Sequence, residues 1–192
     1  MRKLWLLGLS LVFLMVAGCG TSVSEAITEE EYAVYAAAIE QLFLTAQSEM
    51  VVVRYETAPQ ALQVSPAMRE KIATYAPEID DALLDELEQA NQQSYRLDGR
   101  IPLGVKALIR PSDELDALLQ KNEQAWNEFY ALYPTSPGVV TVSRAVFDRR
   151  QEQAVVYVTL RSGMANEAAY FLTLQKENDL WRVMQKFPEW LE

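Results

Sequence analysis

Few residue types in this sequence could carry out chemistry. The chain has 192 residues, no histidine and a single cysteine, Cys19. Without histidine there is no imidazole to act as a general base, to activate a serine or thiol nucleophile, or to bind zinc in the usual way. A lone cysteine also cannot form a disulfide within the chain. The groups that remain are the Cys19 thiol, the carboxylates, the tyrosines and the arginines.

Cys19 follows an apolar segment at the start of the chain. Two basic residues, Arg2 and Lys3, precede an apolar run over residues 4–17. The run is shorter than the ~20 residues that a membrane-spanning helix needs. Basic residues, a short apolar run and small residues at its end are typical of a secretory signal peptide, so we predict one over residues 1–18. An uncleaved anchor, or an ordinary signal peptide with an incidental cysteine, are the alternatives.

The residues around the predicted cleavage site form a recognisable motif. Val16-Ala17-Gly18-Cys19 resembles the lipobox of bacterial lipoproteins at all four positions. The resemblance implies transfer of a diacylglyceryl group to the Cys19 sulfur, cleavage between Gly18 and Cys19, and acylation of the new amino group. A single acyl chain binds a bilayer only marginally, so a stable anchor takes more than one. We therefore expect a protein of the bacterial cell envelope, in the periplasm or at the cell surface.

The rest of the chain indicates a short tether followed by one domain. We assign the lipidated tether to residues 19–28 and a single domain to residues 29–192, which is long enough to bury a core. The net charge of the whole chain is −10. This charge repels nucleic acids and anionic lipid surfaces, so we expect no nucleic-acid partner. Membrane lipid is expected to be contacted through acylated Cys19.

Arg144 is the second residue that could carry a function. We place Ser143-Arg144 in the middle of a strand, with Arg144 on the same face as Val140, Val142 and Val146. An inward arginine can form a structural ion pair with a neighbouring element or bind an anionic ligand in a bidentate manner. The ion pair is the favoured interpretation. Ser143 has no histidine to activate it, which disfavours nucleophilic catalysis.

Carboxylates could act as acid and base without histidine, but the sequence does not select a pair from 27 acidic residues. The acidic run over residues 80–88 lacks the alternating Asp/Asn pattern and central glycine of a calcium loop. It fits the solvated face of a helix instead. We therefore assign no catalytic residue, no metal site and no cofactor.

Two helices are the main elements expected to position these residues. Thr28 and Glu31 have the spacing of a capping box at the start of a helix over residues 29–47. The clearest helix covers residues 112–133, with Ser112 as its cap and an apolar face that contains Trp126. Apolar runs predict strands at residues 50–57 and 101–109. A short helix ending at Pro77 and another starting there are predicted between these strands.

From Gly138 the pattern changes to four β-rich runs separated by short turns, which predicts an antiparallel meander. The expected fold is α+β. In it, a C-terminal four-stranded antiparallel meander, with one or two further strands, packs against the long amphipathic helix and the N-terminal helix. This order is similar to the cone-shaped ketosteroid isomerase-like and cystatin-like folds, an analogy that concerns shape alone.

Most of the chain after Cys19 also carries a wider resemblance, which includes the N-terminal segments "YAVYAAAIEQLF" and "VVVRYET". The segments "AWNEFYALYPTSPGVVTVSRAVFDRRQEQAVVYVTL" and "AAYFLTLQKENDLWRVMQK" resemble a group of uncharacterised bacterial proteins. The matching positions are Phe129, Tyr130, Tyr133, Pro134, Gly138, Ser143, Arg144, Phe147, Ala154, Val156, Tyr157, Val158, Tyr170, Leu172 and Trp181. The loop "SGMANEA" departs from the group, where it is often glycine-rich. The resemblance implies a shape and no chemistry.

The sequence leads us to expect a lipid-anchored envelope protein that is not an enzyme and binds an envelope protein or a small ligand. Two alternatives stay open. One is a hydrolase or isomerase-like enzyme with a pocket between helix and sheet, using carboxylate, tyrosine or arginine groups. The other is a purely structural surface lipoprotein. A deep pocket with converging polar groups would favour the enzyme, and an exposed apolar patch would favour partner binding.

Overall fold

The computed structural model describes residues 26–57, 61–119 and 123–189. The predicted signal peptide, Cys19 and most of the predicted tether lie outside the described residues. Within these three ranges, no helix has both the length and the apolar character that crossing a membrane requires.

The described chain contains five helices and seven strands. In chain order they are α1 (Glu29–Leu42), β1 (Met50–Arg54), α2 (Pro66–Tyr75), α3 (Asp81–Ala90), β2 (Lys106–Arg110), α4 (Ser112–Leu119), α5 (Glu123–Leu132), β3 (Val139–Val142), β4 (Val146–Phe147), β5 (Gln153–Arg161), β6 (Glu167–Glu177) and β7 (Leu180–Pro188).

The strands form one mixed sheet. Its order is β2-β1-β3-β5-β6-β7, and β4 makes a further short pairing with β5. Strands β3, β5, β6 and β7 pair antiparallel in sequence order, whereas β1 is parallel to both β2 and β3. The predicted α+β fold, its C-terminal antiparallel meander and two earlier strands are confirmed. The parallel pairing of β1 in the interior of the sheet was not predicted.

Helices cover both faces of this sheet, because successive side chains of a strand point to opposite sides. Val51 and Val53 of β1 pack in the same cluster as α1, whereas Val52 packs against α4 and α5. In β5, Val156 faces α1, and Val155 packs with α2 and α3. The second face is thus shared by two helix pairs, with a junction between them.

The N-terminal helix starts as predicted and ends early. The Thr28 side chain accepts from the Glu31 backbone, and the Glu31 side chain accepts from the Thr28 backbone, which confirms the capping box. The helix ends at Leu42 rather than at residue 47. The Thr45 backbone N–H donates to Ser48 Oγ at 3.1 Å, so side-chain hydroxyls close a local turn that competes with the helix.

Other predicted boundaries were wrong. Ser112 is the first residue of α4 rather than its cap, and the helix that we expected to start at Pro77 is α3, capped by Asp80. Strand β2 begins at Lys106 instead of residue 101. The predicted long helix is described as two helices, α4 and α5, and residues 120–122 between them lie outside the described residues.

Candidate functional site

Arg144 lies between strands, which corrects the prediction that it is in the middle of one. Strand β3 ends at Val142, and the next strand, β4, begins at Val146. At this interruption the Tyr157 backbone N–H donates to Ser143 Oγ at 2.9 Å, and that hydroxyl donates to the Arg144 carbonyl at 2.8 Å. Across this break the side chains change from one face of the sheet to the other. Val142 packs on the α1 face, whereas Val146 packs with α2 and α3.

The Arg144 guanidinium forms a buried ion pair with Glu31 of α1. Arg144 Nε donates to Glu31 Oε1 at 2.6 Å, and Nη2 donates to Oε2 at 2.9 Å. The two side chains are 6% and 2% exposed. Burial by itself lowers the pKa of Arg144, but the hydrogen bonds and charge of Glu31 outweigh it, so the pKa is raised and the guanidinium stays charged.

Glu31 has further partners that use its acceptor capacity. Its Oε2 accepts from the Thr28 backbone at 2.9 Å, and its Oε1 accepts from the Ala145 backbone at 3.3 Å and from the Tyr35 hydroxyl at 3.4 Å. One carboxylate therefore caps α1, neutralises Arg144 and holds the chain between β3 and β4. These contacts describe a structural tie.

The backbone of Arg144 is held by Asn91, a fully buried residue just after α3. Asn91 Oδ1 accepts from the Arg144 N–H at 2.7 Å, and Asn91 Nδ2 donates to the Arg144 carbonyl at 3.3 Å. The Arg144 Cζ also lies 4.6 Å from the centroid of the Tyr95 ring, a cation–π distance. The Arg144 side chain and backbone thus join α1, α3 and the sheet.

A cleft of about 950 Å³ lies beside this pair, between α1, α3 and β4. Its rim includes Glu30, Asp85 and Glu86. Glu30 is engaged, since it accepts from Trp181 Nε1 at 2.6 Å and pairs with Lys176 at 2.9 Å. Asp85 and Glu86 are exposed on α3. Among the described residues, no group of three or more metal-binding side chains is arranged to hold an ion.

A second recess has the composition of a ligand site. It has a volume of about 410 Å³ and lies on the sheet face where α4 approaches the segment after α3. We call it the sheet pocket, and its lining includes Arg54, Ser94, Thr141, Thr159, Arg161 and Glu167. The floor is made by β3 and β5, whereas Glu167 comes from β6.

Two threonine hydroxyls on the pocket floor are left without protein partners. Thr141 and Thr159 face each other across β3 and β5. Each residue is only 8% exposed. In the part of the chain that the structure describes, neither hydroxyl hydrogen-bonds to another protein group. Neither hydroxyl is among the fully buried side-chain atoms that lack a partner, so both are accessible from the pocket and can bind water or a ligand there.

One wall of the pocket is fixed by charged contacts between β1 and α4. Arg54 binds Asp116 through two hydrogen bonds of 2.8 and 3.3 Å, and the hydrogen bond from Arg54 lowers the pKa of Asp116. The Ser112 backbone N–H donates to Glu56 Oε2 at 3.2 Å, and the Ser112 hydroxyl donates to the same oxygen. Arg54 and Glu56 are therefore engaged in holding α4.

Arg161 and Glu167 are charged groups of the pocket that are not engaged in this way. Within the described ranges, neither has an oppositely charged partner within 4.0 Å. The Arg161 Cζ lies 5.8 Å from the centroid of the Trp126 ring, which orients the guanidinium toward α5. The pocket thus presents one guanidinium and one carboxylate without ion-pair partners.

Tyr157 also lines the pocket, and its ring packs in the cluster that contains α2 and α3. Its hydroxyl donates to Glu189 Oε2 at 2.5 Å. Burial raises the pKa of Tyr157 above its ordinary value, and the hydrogen bond to Glu189 raises it further. The phenol is therefore held in its protonated form and acts as a donor.

None of the sheet-pocket residues was predicted as a site residue. Arg161 and Thr159 belong to the run "QAVVYVTLR", which we interpreted only as a strand. One signal was present. Residues 157, 159 and 161 alternate along the strand and share a face, and all three carry polar groups within an otherwise apolar run.

No protein-family model matches the chain, and no curated protein or solved structure is significantly similar to it. The resemblance of the domain to a group of bacterial proteins therefore stays a prediction. Function is inferred from the residues and their geometry alone.

Proposed function

We propose that this chain is a lipid-anchored protein of the bacterial cell envelope whose domain binds a small polar ligand in the sheet pocket. The observation that carries the proposal is the pair of Thr141 and Thr159 hydroxyls, which open into the pocket from nearly buried residues and have no protein partner among the described residues. Ligand pockets measure about 300–1,000 Å³, and the sheet pocket, at about 410 Å³, suits a small molecule.

A small ligand explains this lining better than a purely structural role does. Both hydroxyls open into the recess, where they offer hydrogen bonds that the sheet itself does not use. The recess is bordered by α4 and by the segment after α3, and its volume of about 410 Å³ suits a small molecule better than a protein segment. A hydrogen-bonding small molecule would satisfy both hydroxyls together.

The enzyme alternative would use the same pocket, with a carboxylate such as Glu167 as a base; the single O–H of Tyr157 is already donated to Glu189. The raised pKa of Tyr157 suits a donor and disfavours a tyrosinate nucleophile or base. Turnover of a bound ligand would distinguish this alternative from binding alone, because a binding protein returns its ligand unchanged.

The Thr159→Val substitution tests the pocket. Valine has nearly the shape of threonine and replaces the hydroxyl with a methyl group, so we expect ligand affinity to fall about tenfold while the protein stays folded. The measurement is titration calorimetry of the wild type and the variant with sets of free amino acids, sugars and dicarboxylates, followed by mass spectrometry of the recovered ligand.

The matched control is Thr173→Val. Thr173 is a threonine of β6 that is 1% exposed and whose hydroxyl also has no partner, but it does not line the sheet pocket. The Thr173→Val variant should leave the ligand affinity unchanged. Equal losses in the two variants, or no binding of any compound by the wild type, would contradict the proposal.

The Cys19→Ala substitution tests the membrane anchor. The lipobox motif and the lone cysteine support acylation of this thiol, so we expect the wild type in the membrane fraction and the variant in the soluble envelope fraction. Labelling with palmitate should mark the wild type and not the variant. Ser22→Ala, a change in the same tether, serves as the control and should behave as the wild type. A Cys19→Ala protein that stays fully in the membrane fraction would disprove the lipid anchor.

A further inference from the structure

From the unpaired charges of the sheet pocket we infer a more specific ligand class, an inference that rests on the proposed function. We propose that the ligand is a small zwitterion of the free amino acid type. Arg161 binds its carboxylate and Glu167 binds its ammonium group.

Arg161 supplies the anion-binding half of the site. Its guanidinium lines the pocket and has no carboxylate within 4.0 Å among the described residues. A guanidinium is a planar fork of N–H donors that matches the two oxygens of a carboxylate. The nearby Trp126 ring limits the orientations of this fork. The second arginine of the pocket, Arg54, is already bound to Asp116 and is not available in the same way.

Glu167 supplies the cation-binding half. It is the direct cross-strand neighbour of Arg161 in the β5–β6 pairing, and both line the pocket. Oppositely charged side chains at such positions normally attract each other across the strands. Here the Arg161 guanidinium lies instead over Trp126, and no ion pair forms between the two. A molecule with both charges can bridge the two groups.

The charges of the pocket disfavour a simple anion or a simple cation. A ligand that carries only a negative charge would bind Arg161 but would meet the carboxylates of Glu167 and Glu56, which also line the pocket, in a chain of net charge −10. A ligand that carries only a positive charge would gain Glu167 but would leave Arg161 without a partner. A zwitterion satisfies Arg161 and Glu167 together.

The hydroxyls of the floor complete the site. Thr141 and Thr159 can each donate and accept one or more hydrogen bonds. They lie on β3 and β5, next to the strand end that carries Arg161. They are placed to bind a carboxylate oxygen or a polar side chain of the ligand. The small volume of the pocket favours a single amino acid over a peptide.

The experiment is calorimetric titration of the full folded domain with serine, leucine and phenylalanine, each compared with its amide and its N-acetyl derivative. The amide lacks the carboxylate and the N-acetyl derivative lacks the ammonium group. We expect at least one free amino acid to bind, and each of its two derivatives to bind about tenfold more weakly or worse.

Two variants assign the groups. Arg161→Gln should weaken binding of the free amino acid and abolish the preference for the amino acid over its amide. Glu167→Gln should abolish the preference for the amino acid over its N-acetyl derivative. Arg182→Gln is the control, because Arg182 lies on β7 outside the pocket with a side chain that is 64% exposed. It should change none of these preferences. Thermal melting of each variant verifies that it is folded.

The outcomes separate this inference from the proposed function. If sugars bind in a manner that depends on Thr159 and no zwitterion binds, the zwitterion inference is wrong and the ligand-binding function stands. Equal binding of an amino acid and its two derivatives also overturns the inference alone. If none of the probes binds to the wild type, both the inference and the proposed function are contradicted.

Discussion

Replacing Arg144 with glutamine lowers the free energy of unfolding by about 3–5 kcal/mol, as expected when one partner of a buried ion pair is removed. The Glu31 carboxylate would then lie buried without a cation in the first turn of α1, where it also caps the helix. Domains of this size are stable by only about 5–15 kcal/mol, so the loss is a large share of the total. The measurement is urea unfolding followed by tryptophan fluorescence and circular dichroism.

The matched control for this prediction is Arg182→Gln. Arg182 pairs with Glu177 at 3.2 Å, but the two side chains are 64% and 47% exposed. Loss of an exposed ion pair costs at most about 1 kcal/mol. A second comparison replaces both partners of the buried pair, as Glu31→Leu with Arg144→Met. This double variant should recover part of the lost stability, since no unpaired charge is left inside.

If Arg144→Gln lowered the free energy of unfolding no more than Arg182→Gln does, the Arg144–Glu31 pair would not be the structural tie described above. Recovery by the double variant should also be incomplete. Glu31 accepts from the backbone of Thr28, and leucine cannot replace that cap, whose loss costs about 1 kcal/mol. Full recovery would show that the capping contact contributes nothing.

The Gly138→Ala substitution is expected to lower the free energy of unfolding by about 2–5 kcal/mol, the sum of backbone strain and overpacking. Gly138 has a φ of +143°, which side-chain-bearing residues rarely adopt. An added Cβ would lie 2.4 Å from the carbonyl oxygen of Arg161 and 3.0 Å from its carbonyl carbon. These are backbone atoms at the end of β5, so they cannot move aside as a flexible side chain would.

Gly104→Ala is the control for this substitution. A Cβ at residue 104 would find its nearest neighbour, Glu40 Oε1, at 3.7 Å, an ordinary contact distance. We expect that variant to differ from the wild type by less than about 1 kcal/mol in the same urea unfolding experiment. Because Gly138 touches the backbone of Arg161, its alanine variant should also weaken ligand binding in the sheet pocket. Equal stability of the two variants would contradict the steric explanation.

Features that depend on near neighbours in the sequence could be predicted. The capping box needs only Thr28 and Glu31, which are three residues apart, and it forms as expected. The meander depends on alternation within each run and on short turns, so β5, β6 and β7 were recognised as strands. A strand that is buried on both faces is rich in β-branched residues, as at Val155 and Val156, and can therefore be recognised from its composition.

Features that depend on distant contacts could not be predicted. Glu31 and Arg144 are 113 residues apart, and nothing in the sequence distinguishes this carboxylate from the others. The break after β3 depends on the Ser143 hydroxyl, which takes a hydrogen bond from the backbone of Tyr157. The parallel pairing of β1 with β2 spans a long connection, and a connection of that length allows either direction of pairing, so the local sequence does not decide it.

The sheet pocket could not be predicted for the same reason. Its lining comes from β1, β3, β5, β6, α4 and the segment after α3, so no single stretch of sequence contains it. Arg161 and Arg54 look similar in sequence, since each is the last residue of a valine-rich strand. They differ only because Asp116 of α4 reaches Arg54. The charge that is left for a ligand is thus decided by tertiary packing.

The position of β1 also determines the order in which the chain can fold. Val52 and Val53 pair with Val139 and Val140, and the other edge of β1 pairs with β2. Both partners are synthesised long after β1, so closing this part of the sheet requires slow, long-range loop closure. The β5-β6-β7 hairpins pair strands that are consecutive in the sequence, so they need no long-range loop closure. We expect the hairpins to form first, and β1 to insert last into a gap between strands that flank it. A chain delivered N-terminus first would keep the apolar side chains of Val51, Val52 and Val53 without their sheet partners until residues 106–142 arrive.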